Sequence, residues 1–413
     1  MTTLQFGQQS WTVNVPTDKL VPMTPGASAV EVKPAAELLR NALHKPVGLN
    51  ISFAQAVVPD DRIVIVVDDS IPQFVELLQT LLSELVLVGV APAAITLLVP
   101  QSSATQPWLD ELPDALDEVQ LERHDPADAK KHCYLASTTE GRRIYMNRTL
   151  AEADVALVLG GRRFDPVLGG VPGGAELQMF PVYSNKETQA EIQKLLEDDD
   201  NLDDVLEEAK AVTMFLGLPY FVQVLEGPND TVAEVLFGLP PSTSTGEERQ
   251  IELWQRRVGS DDADLAVVTI SGTKRVGFAD VSAAIQSARD VLAPDAPIVL
   301  LCDVAPELDG EARRIVRADN AAEAAKSLVA VAGEGNNLAA LQWSLAANNH
   351  PIFIKSTWPD NTVEDLFAST IQTVEEVQKL IDRANRVAII ADAHLVSVQV
   401  DNSPREGASA IDG

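Results

Sequence analysis

Cysteine is nearly absent. Two stand in 413 residues, Cys133 and Cys302, far apart and outside any CxxC pattern. That spacing excludes a disulfide framework and argues against a structural zinc site; two reduced thiols fit a cytoplasmic setting. Histidine is scarce too, with five in the chain, and none belongs to an HExxH zinc helix. No GxSxG elbow supports a Ser-His-Asp triad, and no GxxxxGK[ST] loop supports a P-loop nucleotide site. Basic residues are few: 31 Lys and Arg against 61 Asp and Glu leave a formal charge of −30. Such a surface repels nucleic acid and anionic membrane, so neither is an expected partner. Its bland meaning is solubility. No apolar run reaches bilayer-spanning length; the longest, LLQTLLSELVLVGV, contains Glu84 and reads as a buried helix leading into a turn. The opening MTTLQFGQQSWTVNVP lacks the basic and apolar regions of a secretory signal, and the expected location is cytoplasmic.

What the chain does have is apolar content, at 46%, and a length beyond one ordinary domain. The first segment alternates through Trp11, Val13 and Val15, predicting a short strand or hairpin; AAELLRNAL follows as a helix. DRIVIVVDDSIP predicts a buried strand over 63–68, a helix follows over 74–88, and AITLLVP is the next strand. This β-α-β unit predicts a parallel, doubly wound sheet whose loops DDSIP and PQSSATQP lie at the ligand-binding carboxyl edge. VQLERHDP, GRRIYMNRTL and ADVALVLGG continue the alternation into a glycine-rich bend, GGVPGGAELQMFP. EDDDNLDDVLEEA reads as a solvated helix or loop, without calcium-loop spacing. PYFVQVLEG and TVAEVLFG predict a hairpin, and a helix is expected around Trp254. From Asp264 the pattern restarts with DLAVVTIS, the helix DVSAAIQSARDVL and APIVLLCDV, a second β-α-β unit; IFIKSTWP and NRVAIIADA add strands. The expected organisation is α/β throughout, with domains at 1–258 and 259–401 and a flexible tail at 402–413.

Candidate site residues gather at the predicted strand ends. Asp68 and Asp69 close the first buried strand, where a carboxylate either contacts ligand or caps the next helix. Arg162 and Arg163 follow Gly160-Gly161 and offer paired guanidinium groups to a carboxylate or phosphate, or else pair with the abundant acids. Ser70, Ser102 and Ser103 supply hydroxyl groups in the edge loops, and Gly173 and Gly174 allow close backbone approach in the bend. The bend carries an acid, Glu176, where a phosphate cradle calls for a base. GVPGGAE departs from GxGxxG spacing and argues against a dinucleotide site. Trp358 either walls a cleft between domains or packs locally. His124 and Asp125 read as an HDP turn, and His132 and Cys133 as neighbours on one strand or helix.

DRIVIVVDDSIP, AITLLVPQSS, HDPADAKKHCYLASTTEGRRIYMNR, LAEADVALVLGG and GGVPGGAE, in this order, resemble the nickel-pincer lactate racemase (LarA-like) family. The likeness extends over roughly residues 4–400 and is most specific from His124 through Asp154. It implies two α/β domains with a cleft between them. Enzymes of that family interconvert 2-hydroxy-acid stereoisomers. A nickel-bearing pyridinium cofactor takes up and returns hydride, two histidines act as the acid–base pair, a lysine tethers the cofactor, and a further histidine binds nickel.

Laid onto this sequence, the family's Ser-Asp-x-Thr-Arg-Pro loop falls on Val67, Asp68, Asp69, Ser70, Ile71 and Pro72, so its arginine is Ile71. The loop carrying the first catalytic histidine falls on Gln101 to Thr105, with alanine at 104. The second histidine is missing near Phe164, Asp165 and Pro166. The tethering lysine aligns with Glu176, no histidine follows in FPVYSNKETQAEIQK, and a second-domain lysine falls around Ala283 or Ala284. Alanine transfers no proton and a carboxylate does not form the lysine's link. The resemblance therefore implies a LarA-like protein without nickel-pincer racemase activity and without that cofactor or a metal. It would bind a small hydroxy-acid-like carboxylate or act as an interaction subunit. The alternative is a racemase, epimerase or lyase of a 2-hydroxy or sugar acid with a rearranged site built on Asp68, Asp69, Glu176 and Arg162 or Arg163.

Overall fold

The computed structural model describes residues 1–24, 33–100, 106–138, 141–165, 171–172, 175–195, 202–259, 262–272, 276–308, 310, 312–330 and 338–400. The chain divides into two compact units. One is made mainly of Ala29–Leu253, the other of Met1–Ser28 with Trp254–Ala330 and Asn337–Gly413. β1 (Thr2–Phe6) and β2 (Gln9–Val13), an antiparallel hairpin, thus start the chain but belong to the second unit. Their alternation turns Leu4, Phe6 and Val13 inward, against Leu265, Val299 and Ile381.

The first unit runs through α1 (Ala35–His44), β3 (Ile63–Val67), α2 (Phe74–Val88), β4 (Ile95–Val99) and β5 (Gln120–Arg123). It continues with β6 (His132–Ser137), β7 (Arg143–Asn147), β8 (Val155–Arg162), α3 (Leu202–Phe215), β9 (Tyr220–Gly227), β10 (Thr231–Gly238) and α4 (Thr243–Trp254). Its six-stranded sheet has the order β10-β9-β8-β3-β4-β5, parallel except for the β9–β10 hairpin at one edge. β3 is IVIVV and buried on both faces, as a central parallel strand must be. Ile63, Ile65 and Val67 meet Phe74, Leu78, Leu81 and Leu85 of α2. Val64 and Val66 turn the other way, into a core shared with Val205, Ala209 and Val212 of α3. Each such side chain contributes roughly 1.5–3 kcal/mol relative to exposure. α2 ends at Gly89, whose φ of +105° suits a residue without Cβ.

One segment differs from expectation. GRRIYMNRTL does not extend the main sheet; as β7 it pairs antiparallel with β6 in a separate two-stranded ribbon. Ile144 and Met146 bury one face of it and Tyr134 stays exposed on the other, a half-buried pattern that suits a ribbon rather than a central strand.

The second unit adds β11 (Leu265–Thr269), α5 (Phe278–Arg289), β12 (Ile298–Leu301), α6 (Ala321–Ala330), α7 (Leu338–Asn349), β13 (Ile352–Lys355), β14 (Ser369–Thr370), α8 (Val374–Arg383) and β15 (Val387–Ile390). Its sheet, β14-β13-β12-β11-β15, is parallel throughout. In each unit the strand order reverses beside the first sheet strand, between β3 and β8 and between β11 and β15. Open α/β sheets bind ligands at the carboxyl ends of such positions. No helix among the described residues is long and apolar enough to cross a membrane.

Candidate functional site

The reversal between β3 and β8 places Asp68 next to the glycine pair of β8. Asp68 Oδ1 accepts from the Ser70 backbone N–H at 3.0 Å and from the Ser70 hydroxyl, while Oδ2 accepts from the Gly161 N–H at 3.3 Å. This is a local aspartate turn. It does not cap α2, whose N-cap residue is Gln73. Asp69 accepts from the Trp108 indole N–H at 3.1 Å. Ile71 is fully buried, and its Cγ2 would stand 3.0 Å from a Cβ placed on Gly161. Glycine is needed here because the β3–α2 turn packs directly on β8.

Arg162 and Arg163 do not share a target. Arg163 Nη2 donates to the Ser70 carbonyl at 3.1 Å and its Nε donates to Glu226 at the end of β9. Arg162 turns instead toward Glu176 and Glu247, and only 3% of it is exposed. Burial pulls its guanidinium below the usual value, and the two carboxylates oppose that shift. Arg162 ends β8 and Arg163 lies just past it, and their separate partners keep the pair from forming one clamp. Glu176 lies in the short 3-10 turn Ala175–Gln178 and is 5% exposed. From the same turn, Gln178 Nε2 donates to the Gly161 carbonyl at 2.5 Å and fills the space beside Gly160.

A second polar layer surrounds Arg162. Gln223 of β9, 1% exposed, donates to the Ser242 carbonyl at 3.3 Å. Gly246 of α4 lets that helix approach: a Cβ there would lie 2.1 Å from Gln223 Oε1. Lys210 of α3 donates to Glu207, which raises its pKa, and Glu176 and Glu247 add to the rise. Tyr183 donates to the Leu98 carbonyl at 3.2 Å; burial, helped by Asp68 and Asp69, holds its phenol well above the usual range.

The candidates thus form two groups on β8: Asp68, Ser70 and Arg163 with Glu226, and Arg162 with Glu176. Trp358 belongs to neither. It is buried in the second unit, its indole N–H donating to the Pro306 carbonyl at 2.9 Å. Ser102, Ser103, Gly173 and Gly174 lie outside the described residues. His124 is buried, its Nε2 2.9 Å from the Ser184 carbonyl and its ring 5.3 Å from that of His132, while Asp125 closes the turn by accepting from the Ala127 N–H. Among the described residues no three His, Cys, Asp or Glu stand together as a metal site.

Reading the sequence overlooked Glu226, Gln178 and Gln223. Gln223 and Glu226 break the otherwise apolar run YFVQVLEG, and a polar residue inside a buried strand is the signal that would have found them.

Residues 6–175 match the lactate racemase N-terminal domain family. Over that stretch the chain is LarA-like. Its fold agrees: the lactate racemase apoprotein from Thermoanaerobacterium thermosaccharolyticum superposes with a TM-score of 0.72 at 12% identity, covering 96% of this chain and 99% of that one. A protein from Thermotoga maritima superposes with a TM-score of 0.62 at 10% identity, covering 90% of this chain and 100% of that one. No curated protein matches. Ile71, on the loop after β3, belongs to the apolar core beneath α2. Glu176 is packed inward beside Arg162.

Proposed function

We propose that this LarA-like protein does not perform nickel-pincer racemisation and serves a non-catalytic, binding or interaction role. The observation that carries this reading is Glu176. A carboxylate, 5% exposed and held in the field of Arg162, stands where the family resemblance places the amine that anchors the cofactor. It offers no nucleophilic nitrogen for the link, and an approaching anionic cofactor meets a like charge. Ile71 supports the same reading, since an apolar side chain packed in the core replaces a guanidinium that would face an anion. The residues present therefore do not fit the family's tethered cofactor, and no reaction step is derived through it.

The alternative, an epimerase or lyase with a rearranged site, has less support. It needs Asp68, Asp69, Glu176 and an arginine to act on one substrate. Asp68 is engaged by Ser70 and Gly161, Asp69 by Trp108, Arg163 by Glu226, and Glu176 lies with Arg162 in the other group.

The test is metal analysis and intact-mass measurement on the purified protein, with a lactate racemisation assay alongside. A mass equal to that of the bare chain, no stoichiometric nickel and no racemisation are expected. Stoichiometric nickel, or an adduct on any side chain, overturns the proposal.

A further inference from the structure

His124 follows β5 and His132 opens β6, and the two side chains close the loop between these strands. They are 1% and 5% exposed. Their ring centroids lie 5.3 Å apart with the planes at 86°, and the Tyr183 ring stands 5.5 Å from His124. Hydrogen bonds assign the tautomers. Asn147 Oδ1 accepts from the Leu150 N–H at 2.9 Å, so its NH2 points the other way, donating to Glu122 Oε1 at 2.9 Å and reaching His124 Nδ1 at 3.4 Å. His124 Nδ1 therefore carries no hydrogen, and its Nε2–H donates to the Ser184 carbonyl at 2.9 Å. The His132 Nδ1–H donates to the Asp128 carbonyl at 2.8 Å, which leaves Nε2 buried with a lone pair and no hydrogen-bond partner. One more proton would set an N–H against the Asn147 amide at His124, and an N–H without an acceptor at His132.

The charged groups around the pair are already engaged. On β5, Glu122 accepts from Asn147 and from the Thr149 hydroxyl at 2.6 Å. In the loop, Asp125 accepts from the Ala127 N–H, Asp128 from the Lys130 N–H, and Lys131 donates to the Arg123 carbonyl. After β7, Arg148 donates to the His132 carbonyl at 2.8 Å and pairs with Glu152. The helix Lys186–Leu195 starts with its Lys186 N–H on the Pro126 carbonyl, and its Glu187 accepts from Asn185. Glu191 of that helix and Glu208 of α3 both pair with Arg142, at the far end of the ribbon. Burial holds His124 below its ordinary pKa and His132 adds to the shift, against the Ser184 carbonyl, Glu122 and Asp125.

The two strands of the ribbon are anchored unequally. β7 turns Ile144 and Met146 into a core with Val64 and Leu98, and the Asn147 N–H donates to the Tyr183 carbonyl at 2.8 Å. Of β6 only His132 and Ala136 are buried, and Tyr134 is 56% exposed. We propose that the histidine pair is an acid-operated clasp, closed while both rings are neutral, whose protonation frees residues 125–131 and β6 and leaves β7 in place. Once the loop opens, the His124 ring meets water and takes up a proton at its ordinary pKa of about 6.5. The clasp is thus intact above that pH and gives way below it. At pH 5.5 one proton bound by the open form favours opening about tenfold. None of the residues that carry the proposed function takes part, so the two proposals stand or fall separately.

Hydrogen exchange of the full chain, measured by mass spectrometry at pH 7.5 and 5.5 and corrected for intrinsic rates, tests the clasp. Protection over 125–137 should fall about tenfold at the lower pH while that of β8 holds. His124→Gln, which keeps a hydrogen-bonding side chain but does not titrate, should remove the response. His350→Gln, whose ring donates to the Ala296 carbonyl in the second unit, should leave it unchanged. Ring resonances of the unsubstituted protein give a second measurement that needs no variant, and the His124 midpoint should coincide with the pH at which protection falls. Equal protection at the two pH values, a loss shared equally by β8, a response undiminished in His124→Gln, or a His124 ring that titrates without loss of protection overturns the proposal.

Discussion

Each unit has an aspartate at the point where its strand order reverses, and the two are satisfied differently. In the first unit Asp68 holds Ser70 and the Gly161 N–H, and the ion pair between Arg163 and Glu226 lies alongside. In the second, Asp392 after β15 accepts from the Ser271 backbone N–H at 3.0 Å and from its hydroxyl, with Asp392 itself in the left-handed region at φ +48°. Both ends are closed by a carboxylate and a serine. Among the described residues, the first alone shows an ion pair and a fully buried isoleucine on the loop between strand and helix. The difference shows two ways to close a sheet edge: a local aspartate turn with an ion pair beside it in the first unit, and in the second a buried aspartate, 6% exposed, that reaches a serine at the end of the neighbouring strand.

Ile71→Arg is the severest test of this contrast, because it puts a guanidinium in a place with no exposed surface. A loss of about 4 kcal/mol or more in denaturant unfolding is expected. A folded variant of unchanged stability would mean that the edge opens, and the reading of a closed first unit would fail. Glu226→Ala removes the carboxylate that Arg163 donates to; with side-chain exposures of 10% and 31% in the pair, a cost of about 2–3 kcal/mol follows. Asp392→Ala should cost about 1–2 kcal/mol, from the lost Ser271 contacts and the strain of alanine at positive φ. Asp392→Asn, which keeps an acceptor and tolerates that backbone, should cost under about 1 kcal/mol. If Asp392→Ala proves worse than Glu226→Ala, the ion pair is not what distinguishes the two edges.

The smallest expected effect is a pH slope away from both edges. Burial holds His124 below its ordinary pKa, with His132 adding to the shift and the Ser184 carbonyl opposing it. The unfolded chain therefore takes up the proton first as pH falls through about 6.5. Stability contributed by the neutral ring is present above that pH and is lost as pH drops toward the folded value. Unfolding curves at pH 7.5 and 5.5 should show this loss, and His124→Gln should flatten it.

Much of the fold was legible in the sequence because its strands are continuous apolar runs bounded by acids, glycine or proline. The residues of β3, α2 and β4 declare themselves this way, as do those of β11, α5 and β12. The placement of β1 and β2 in the second unit was not legible, since it depends on partners more than 250 positions away, such as Leu265 and Val299. At the candidate site the sequence placed Asp68 and Ser70 at a strand end because carboxyl edges follow from the β-α-β pattern. It gave no sign that Arg163 would meet Glu226, because that pairing depends on the β8–β9 register.

The N-terminal hairpin has a consequence for the order in which the molecule is made. The Val387 N–H donates to the Lys19 carbonyl at 2.7 Å and the Val21 N–H to the Val387 carbonyl at 2.9 Å, so this segment completes a unit whose sheet strand β15 is translated long after it. At ~5–20 residues per second, Leu4, Phe6 and Val13 wait roughly 20–70 s for their packing partners, while the whole of Ala29–Leu253 is translated in between. Residues made early thus find their place late, and a nascent chain halted before β11 presents an apolar ribbon to chaperones.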